Sequence, residues 1–454
     1  MRVIYFDIDC LRPDHLGCYG YSRPTSPTID RIATDGVRFE NYYCSSSPCL
    51  PSRTCLTSGR FGIRNGVVSN VGAGAEFRIR TTPYDGPEPD TDVFPRVLMA
   101  HGYDTVCFST FADRHNAMWF MRGWSEFHTP NLKCGVDTAE EVHERLMPWL
   151  RMNATREDYF LHVNYWDAHR IYKMDASWAD RFRDHPVPQA WPDEAAIAAH
   201  QELDGPFTAR RQFAENRSTV ALMPGAVTSR ADFDHMITGY DAAIAYVDAH
   251  IATVLSELDR QGLLDETAII VSADHADAFG EHGIYSDHVN VSNCVHRVPL
   301  IVRWPGVTDS VAGTADSSMM YNVDLPPTIC ELLGARIPAD WDGVSYAGNL
   351  TGGERSDREH LVWDSALYTV QRAVRTRRHL YIRTYDPLTY SNWEPESLYD
   401  LEHDPYETTT IAPDSPELVR EAREIMDAWV ARQRSKPDWG GDPIEAVLHE
   451  RGVT

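Results

Sequence analysis

Lysine is nearly missing from this chain. Only Lys133, Lys173 and Lys436 occur among its 42 basic residues, and the rest are arginine. A pocket for an anion must therefore rely on arginine, histidine, a bound cation or backbone N–H groups. Positive charge is also scarce overall: acidic residues number 67 and the net charge is −25. That balance excludes a general nucleic-acid binder, which needs a basic face to neutralise phosphates, and it argues against docking on anionic lipid. No nucleic-acid or membrane partner is expected, and no run reaches the about 18 apolar residues of a spanning helix. The nine cysteines include no C-x-x-C pair, which fits free thiols better than a disulfide framework. Met1-Arg2-Val3-Ile4-Tyr5-Phe6-Asp7 leads straight into a strand pattern without the features of a signal peptide, so a cytoplasmic location is expected.

What the chain does have is enough apolar residue, 43% of 454, to bury a large core. Short apolar runs at Val3–Asp9, Asp104–Ser109, Tyr159–Tyr165, Thr267–Ser272 and Val298–Val302 read as strands buried on both faces. Between them lie helical patterns. In the clearest, about Ala231 to Arg260, Ile237, Tyr240, Ile244, Val247, Ile251, Val254 and Leu258 fall on one face. Alternating strands and helices predict an α/β fold, a large mixed, mostly parallel sheet sandwiched by helices, over residues 1–355. Residues 175–230 read as a polar surface excursion. Beyond 355 the pattern changes, and 356–454 reads as a smaller C-terminal α+β subdomain with antiparallel strands near 373–383 and a closing helix from Pro416 to Gln433.

Ligands of open α/β sheets sit beyond the carboxyl ends of the strands. Four such ends carry polar groups here: Asp9, then Thr110 with Arg114 and His115, then Asp167 with His169, then Asp274 with His275. Oxygens converging from several segments suit a hard divalent cation.

The sharpest local signal is Ser47-Pro48-Cys49-Leu50-Pro51-Ser52-Arg53 followed by Leu56-Thr57-Ser58-Gly59-Arg60. It resembles the signature of the sulfatases, in which the cysteine is oxidised to formylglycine. Asp9-Cys10-Leu11-Arg12-Pro13-Asp14-His15 resembles the family's first metal-binding turn. Asp274-His275 with Gly280-Glu281-His282-Gly283 resembles its second metal segment, and Tyr165-Trp166-Asp167-Ala168-His169 the segment with a pocket histidine. Ser397-Leu398-Tyr399-Asp400-Leu401 with Asp404-Pro405 resembles its C-terminal hairpin.

The resemblance implies an alkaline-phosphatase-like fold and a sulfuric ester hydrolase acting on a sulfated carbohydrate or small organosulfate. It implies maturation by a formylglycine-generating enzyme and one divalent cation, with calcium expected and manganese or magnesium as alternatives. The aldehyde hydrate of residue 49 would attack sulfur and then expel sulfate as it collapses. The implied metal ligands are Asp9, Cys49, Asp274 and His275. Arg53 is expected to hold the hydrate, His169 and His288 are the candidate proton donors, and Arg114 and His115 the candidate substrate contacts. A homo-oligomer is compatible with this reading.

Three departures stand out. Cys10 replaces a second aspartate, with Asp7 the weaker substitute. The family's lysine–x–histidine stretch is absent after Gly102-Tyr103-Asp104-Thr105. Counting back from Pro299, His288 stands where many sulfatases have lysine, although counting forward from Gly283 gives Asp287. Two other readings remain open: a phosphonate monoester or phosphodiester hydrolase of the same superfamily, and a non-catalytic binder of sulfated ligands.

Overall fold

The computed structural model describes residues 1–78, 93–131, 133–210 and 221–453. Its main sheet has eight strands, in the order Thr314–Tyr321, Val37–Tyr43, Leu300–Arg303, Thr267–Ser272, Arg2–Ile8, Tyr159–Tyr165, Asp104–Phe108 and Glu126–His128. Every neighbouring pair is parallel except those made by Leu300–Arg303, which runs antiparallel to both its partners. Sequence reasoning started this strand at Val298. Pro299 has no N–H to give to a ladder, and the regular strand begins after it.

The centre of the sheet explains its apolar runs. Arg2–Ile8 pairs on one side with Tyr159–Tyr165 and on the other with Thr267–Ser272, and all three are buried almost throughout. Asp7 stands level with Asn164 and with Ser272. This register brings Asp9, the Trp166–His169 loop and Asp274 together at the carboxyl ends of the central strands.

The helix Arg230–Arg260 begins at Ser229, whose side chain accepts from the Asp232 amide. Its predicted apolar face is buried against the sheet. From that face the Tyr240 hydroxyl donates to the Cys10 carbonyl and accepts from the Arg12 amide, both at 2.8 Å. The helix thus clamps the loop after the first strand. Between 175 and 210 lie a 3₁₀ turn, Ala176–Phe182, and a helix, Glu194–His200; residues 211–220 of the expected excursion lie outside the described residues.

A second sheet orders Glu396–Asp400, His379–Asp386, Val370–Arg375, Leu361–Ser365 and the short strand Ser46–Ser47. The first four pair antiparallel, and Pro416–Arg434 is the helix predicted to close this region. Ser46–Ser47 was not foreseen, because a two-residue strand has no periodicity to read. It pairs with Asp364 and Ser365 and so ties the second sheet to the residues just before Cys49. No helix among the described residues is long and apolar enough to cross a membrane.

Asp248, in the middle of the long helix, accepts from the Thr28 and Ile29 amides at 2.9–3.0 Å. Burial lifts its carboxyl from 3.8 to about 6, against the pull of those amides. The folded state therefore binds more protons than the unfolded chain between these values, and stability falls as pH rises through them. Asp248→Asn removes the charge and this slope. Relative to wild type, the variant should gain up to about 2 kcal/mol between pH 4 and pH 7. Thermal melts across that range check this, and a difference that ignores pH would refute it.

Candidate active site

Cys49 is the first residue of the helix Cys49–Ser58, and it is 1% exposed. The Ser46–Ser47 pairing holds the chain entering this helix. Ser52, one turn on, donates to the Asp274 carbonyl at 2.5 Å, and the Asn322 amide donates to both the Ser52 carbonyl and hydroxyl at 3.1 Å. Cys49 Sγ lies 3.1 Å from His275 Nε2. Burial, then the charges of Asp9 and Asp274, push the Cys49 thiol well above its ordinary value.

Arg53, one helical turn from Cys49, is 1% exposed and enclosed by three carboxylates. Its Nε and Nη2 donate to Asp7 at 2.8 and 3.1 Å, and its Nη1 donates to Asp9 at 3.0 Å and to Asp274 at 2.6 Å. The sequence reading has Arg53 hold the hydrate of residue 49 and screen charge; here its fork screens three carboxylates, which are costly to bury without a countercharge. Asp7 also accepts from His162 Nε2 at 3.0 Å, which makes it a buttress and leaves Asp9 and Asp274 to face the pocket.

The donor set fits a cation. One oxygen each from Asp9 and Asp274, Cys49 Sγ and a His275 nitrogen all lie within 4.8 Å of one another, and all four residues are buried. Burial raises Asp9, but Arg53, His169 and His275 outweigh it and hold the carboxyl well below the usual range. Asp274 is held high by burial and by repulsion from Asp9 and Asp7. One guanidinium cannot neutralise three carboxylates, so positive charge is missing at the point where the donors converge. Burial and His288 keep His275 neutral, with Nε2 aimed at Cys49, as a metal ligand requires. Cys10, at φ 59°, is also buried, with Sγ 3.1 Å from Asp9 Oδ1.

Two further histidines close on the thiol: ring nitrogens of His169 and His288 lie within 4.8 Å of each other and of Cys49 Sγ. The environments of the two differ. His169 Nδ1 donates to the Arg170 carbonyl, and burial lowers its ring to about 4. It is neutral, with a free lone pair on Nε2. His288 Nδ1 donates to Asp277 at 2.7 Å and its amide to Asp287 at 2.8 Å. Burial alone would lower it, but Asp287 and Asp277 raise it. His288 is therefore the better proton donor.

Arg114 and His115 flank the pocket. The Arg114 guanidinium stands 5.1 Å from the Trp166 ring centroid, and Arg53 stands 5.3 Å from the same ring. Burial, then Arg114 and Arg53, lower His115 to about 3, and its Nε2 is buried without a partner. Sequence reasoning missed Asp277 and His162. Asp277 could have been found, since it lies two residues after His275, within the same metal-like segment. His162 sits inside a strand that reads as core, and only the register of that strand places it against Asp7.

A family model described as "Sulfatase" matches residues 2–335, and one described as "N-sulphoglucosamine sulphohydrolase, C-terminal" matches 280–431. An N-acetylglucosamine-6-O-sulfatase of Bacteroides thetaiotaomicron is 23% identical over 98% of this chain and 88% of its own length. A solved structure in complex with its substrate D-glucosamine-2-N,6-O-disulfate superposes with a TM-score of 0.75 at 20% identity, covering 97% of this chain and 99% of the other. The phosphonate monoester hydrolase of Agrobacterium radiobacter superposes with a TM-score of 0.74 at 20% identity, covering 95% and 96%.

Removing Arg53 takes the guanidinium from three buried carboxylates, of which Asp7 keeps His162, so in chelator Arg53→Ala should lose about 3–5 kcal/mol of stability. Wild-type protein should melt higher when a divalent cation is added, and the double variant Asp9→Asn/Asp274→Asn should erase that gain. Melts with and without EDTA check both. A wild-type midpoint that ignores calcium, manganese and magnesium would remove the metal assignment.

Proposed function

The chain belongs to the sulfatase family, and on that premise we propose that it hydrolyses the sulfate monoester of a sulfated sugar, with residue 49 as nucleophile after its thiol becomes formylglycine. Membership makes it a sulfuric ester hydrolase that uses a formylglycine-type cysteine and a divalent cation. The convergence of Asp9, Cys49, Asp274 and His275 from separate strand ends carries the reading to named residues.

Asp9, Asp274, His275 and residue 49 would hold the cation, which we take to be calcium. When bound, it lowers the pKa of a hydroxyl on residue 49 and neutralises charge on the sulfate oxygens. The chain supplies the rest. Residue 49 opens a ten-residue helix, whose N-terminal amides favour a sulfate. Arg53 holds the carboxylates in place and favours their ionised forms. Arg114 and His115 bind the sulfate oxygens, in place of the lysines this chain lacks. His288, oriented by Asp277, gives a proton to the departing alcohol oxygen. His169 Nε2 accepts the proton that residue 49 releases. A formylglycine-generating enzyme is the proposed maturation partner.

Intact mass tests the modification: the active protein should be lighter than its sequence by about 18 Da at residue 49. Cys49→Ala should abolish turnover and leave the melting temperature nearly unchanged. Rates on an aryl sulfate, a phosphonate monoester and a phosphodiester test the substrate. A phosphonate preference of about a hundredfold in kcat/KM, two decades of transition-state discrimination, would overturn the sulfate reading. A mature, metal-loaded protein inactive on all three and on sulfated sugars would point to a binder.

The proton donor has its own test. His288→Ala should slow esters of poor leaving groups by about a hundredfold and activated aryl esters far less. Asp277→Asn should show the same pattern, more weakly. Equal losses on both substrates would take His288 out of this role.

A further inference from the structure

A second cavity lies at the opposite end of the helix that carries Cys49. The helix has ten residues, so its ends are about 15 Å apart. It stops at Gly59, whose φ of +63° only glycine adopts freely, and a Cβ there would meet the Trp341 ring at 2.5 Å. Trp341 is thus seated on the helix end and forms one wall of a cavity of about 410 Å³, within the size range of small-molecule sites. Phe61 makes edge-to-face contacts with Tyr321 at 5.1 Å and with Trp429 at 5.5 Å, and all three line the same space.

The opposite wall is one face of the helix Pro416–Arg434. Trp429, Arg432 and Gln433 on the helix, at steps of three and four, and Lys436 just beyond its end all line the cavity. Gln433 is 2% exposed, yet its Oε1 has no hydrogen-bond partner. A native core rarely leaves such an acceptor unmet. Two other charges in the wall are already paired: Asp342 accepts from Arg64 at 2.6 Å and Arg358 donates to Asp324 at 2.5 Å. Arg432 and Lys436 have no ion pair among the described residues, and the exposed Glu359 is the one carboxylate on the lining that could oppose them.

We propose that this cavity is a second ligand site, separate from the catalytic pocket, that binds a sulfated monosaccharide. The aromatic walls take the apolar face of the sugar ring. Arg432 and Lys436 take the sulfate. Gln433 Oε1 accepts from a ring hydroxyl, a donor that a simple aryl sulfonate does not have. The site extends the reach of the enzyme beyond the one sugar whose ester is cleaved.

Calorimetric titration of the full chain tests this in a Cys49→Ala background, where no sugar is turned over. The probe is N-acetylglucosamine 6-sulfate, with unsulfated N-acetylglucosamine and naphthalene-2-sulfonate as comparisons. One binding event should weaken at least tenfold in Arg432→Ala/Lys436→Ala. Both comparison ligands should bind at that event at least tenfold more weakly. With Cys49 restored, the double variant should keep its melting temperature and its aryl sulfate turnover to within twofold. A titration unchanged by the double substitution, equal binding of the unsulfated sugar or of the sulfonate, or a parallel loss of turnover would each overturn the proposal. Turnover is scored separately, so a failure of the catalytic reading would show in the wild-type rates and leave the binding result standing.

Discussion

The buried contact between Arg53 and the carboxylates of Asp7, Asp9 and Asp274 is what the site depends on. Two of those carboxylates come from the first strand and its end, and the third follows a strand that pairs beside it. Parallel register brings them together, and one guanidinium allows them to share a dry pocket. Arginine suits this position because its fork reaches three partners at fixed angles, which an ammonium group does not. Yet one positive charge against three negative ones leaves the pocket short of cation. The same imbalance that Arg53 relieves is the attraction that would hold the proposed cation in front of residue 49.

This arrangement also answers how so acidic a protein handles an anionic substrate. The field has to be reversed locally. In the proposed mechanism Arg114, the N-terminal turn of the Cys49 helix, the cation and His288 supply that reversal. Of the acidic residues at the pocket, Asp7, Asp9 and Asp274 are engaged by Arg53, Asp287 by Arg170 and Asp277 by His288. Trp166 contributes by carrying two guanidinium groups on its ring, which keeps these like charges oriented without placing them in water.

The second sheet does more than append a subdomain. Its contact with Ser46–Ser47 steadies the turn into the helix, so residue 49 is held from both sides. The long helix Arg230–Arg260 performs the matching task for the first loop through Tyr240. Residue 49 and the loop that carries Asp9 are therefore fixed by elements distant in sequence, as a preorganised site requires.

Several parts of this molecule were open to reading from the chain alone. The central strands were visible because both their faces are buried, which makes their runs continuous. The helix from 230 to 260 was visible because one face of it is apolar at a period of 3.6. Cys49, Asp9 and Asp274-His275 were visible because motif residues follow strand ends. Tertiary structure decided the rest. The direction of Leu300–Arg303, the pairing of Ser46–Ser47 with a strand some three hundred residues away, the contact of Arg53 with three carboxylates and the union of His288 with Asp277 all depend on which segments lie side by side. Local periodicity records what a residue faces, core or water. Only the packed chain determines which partner it meets there.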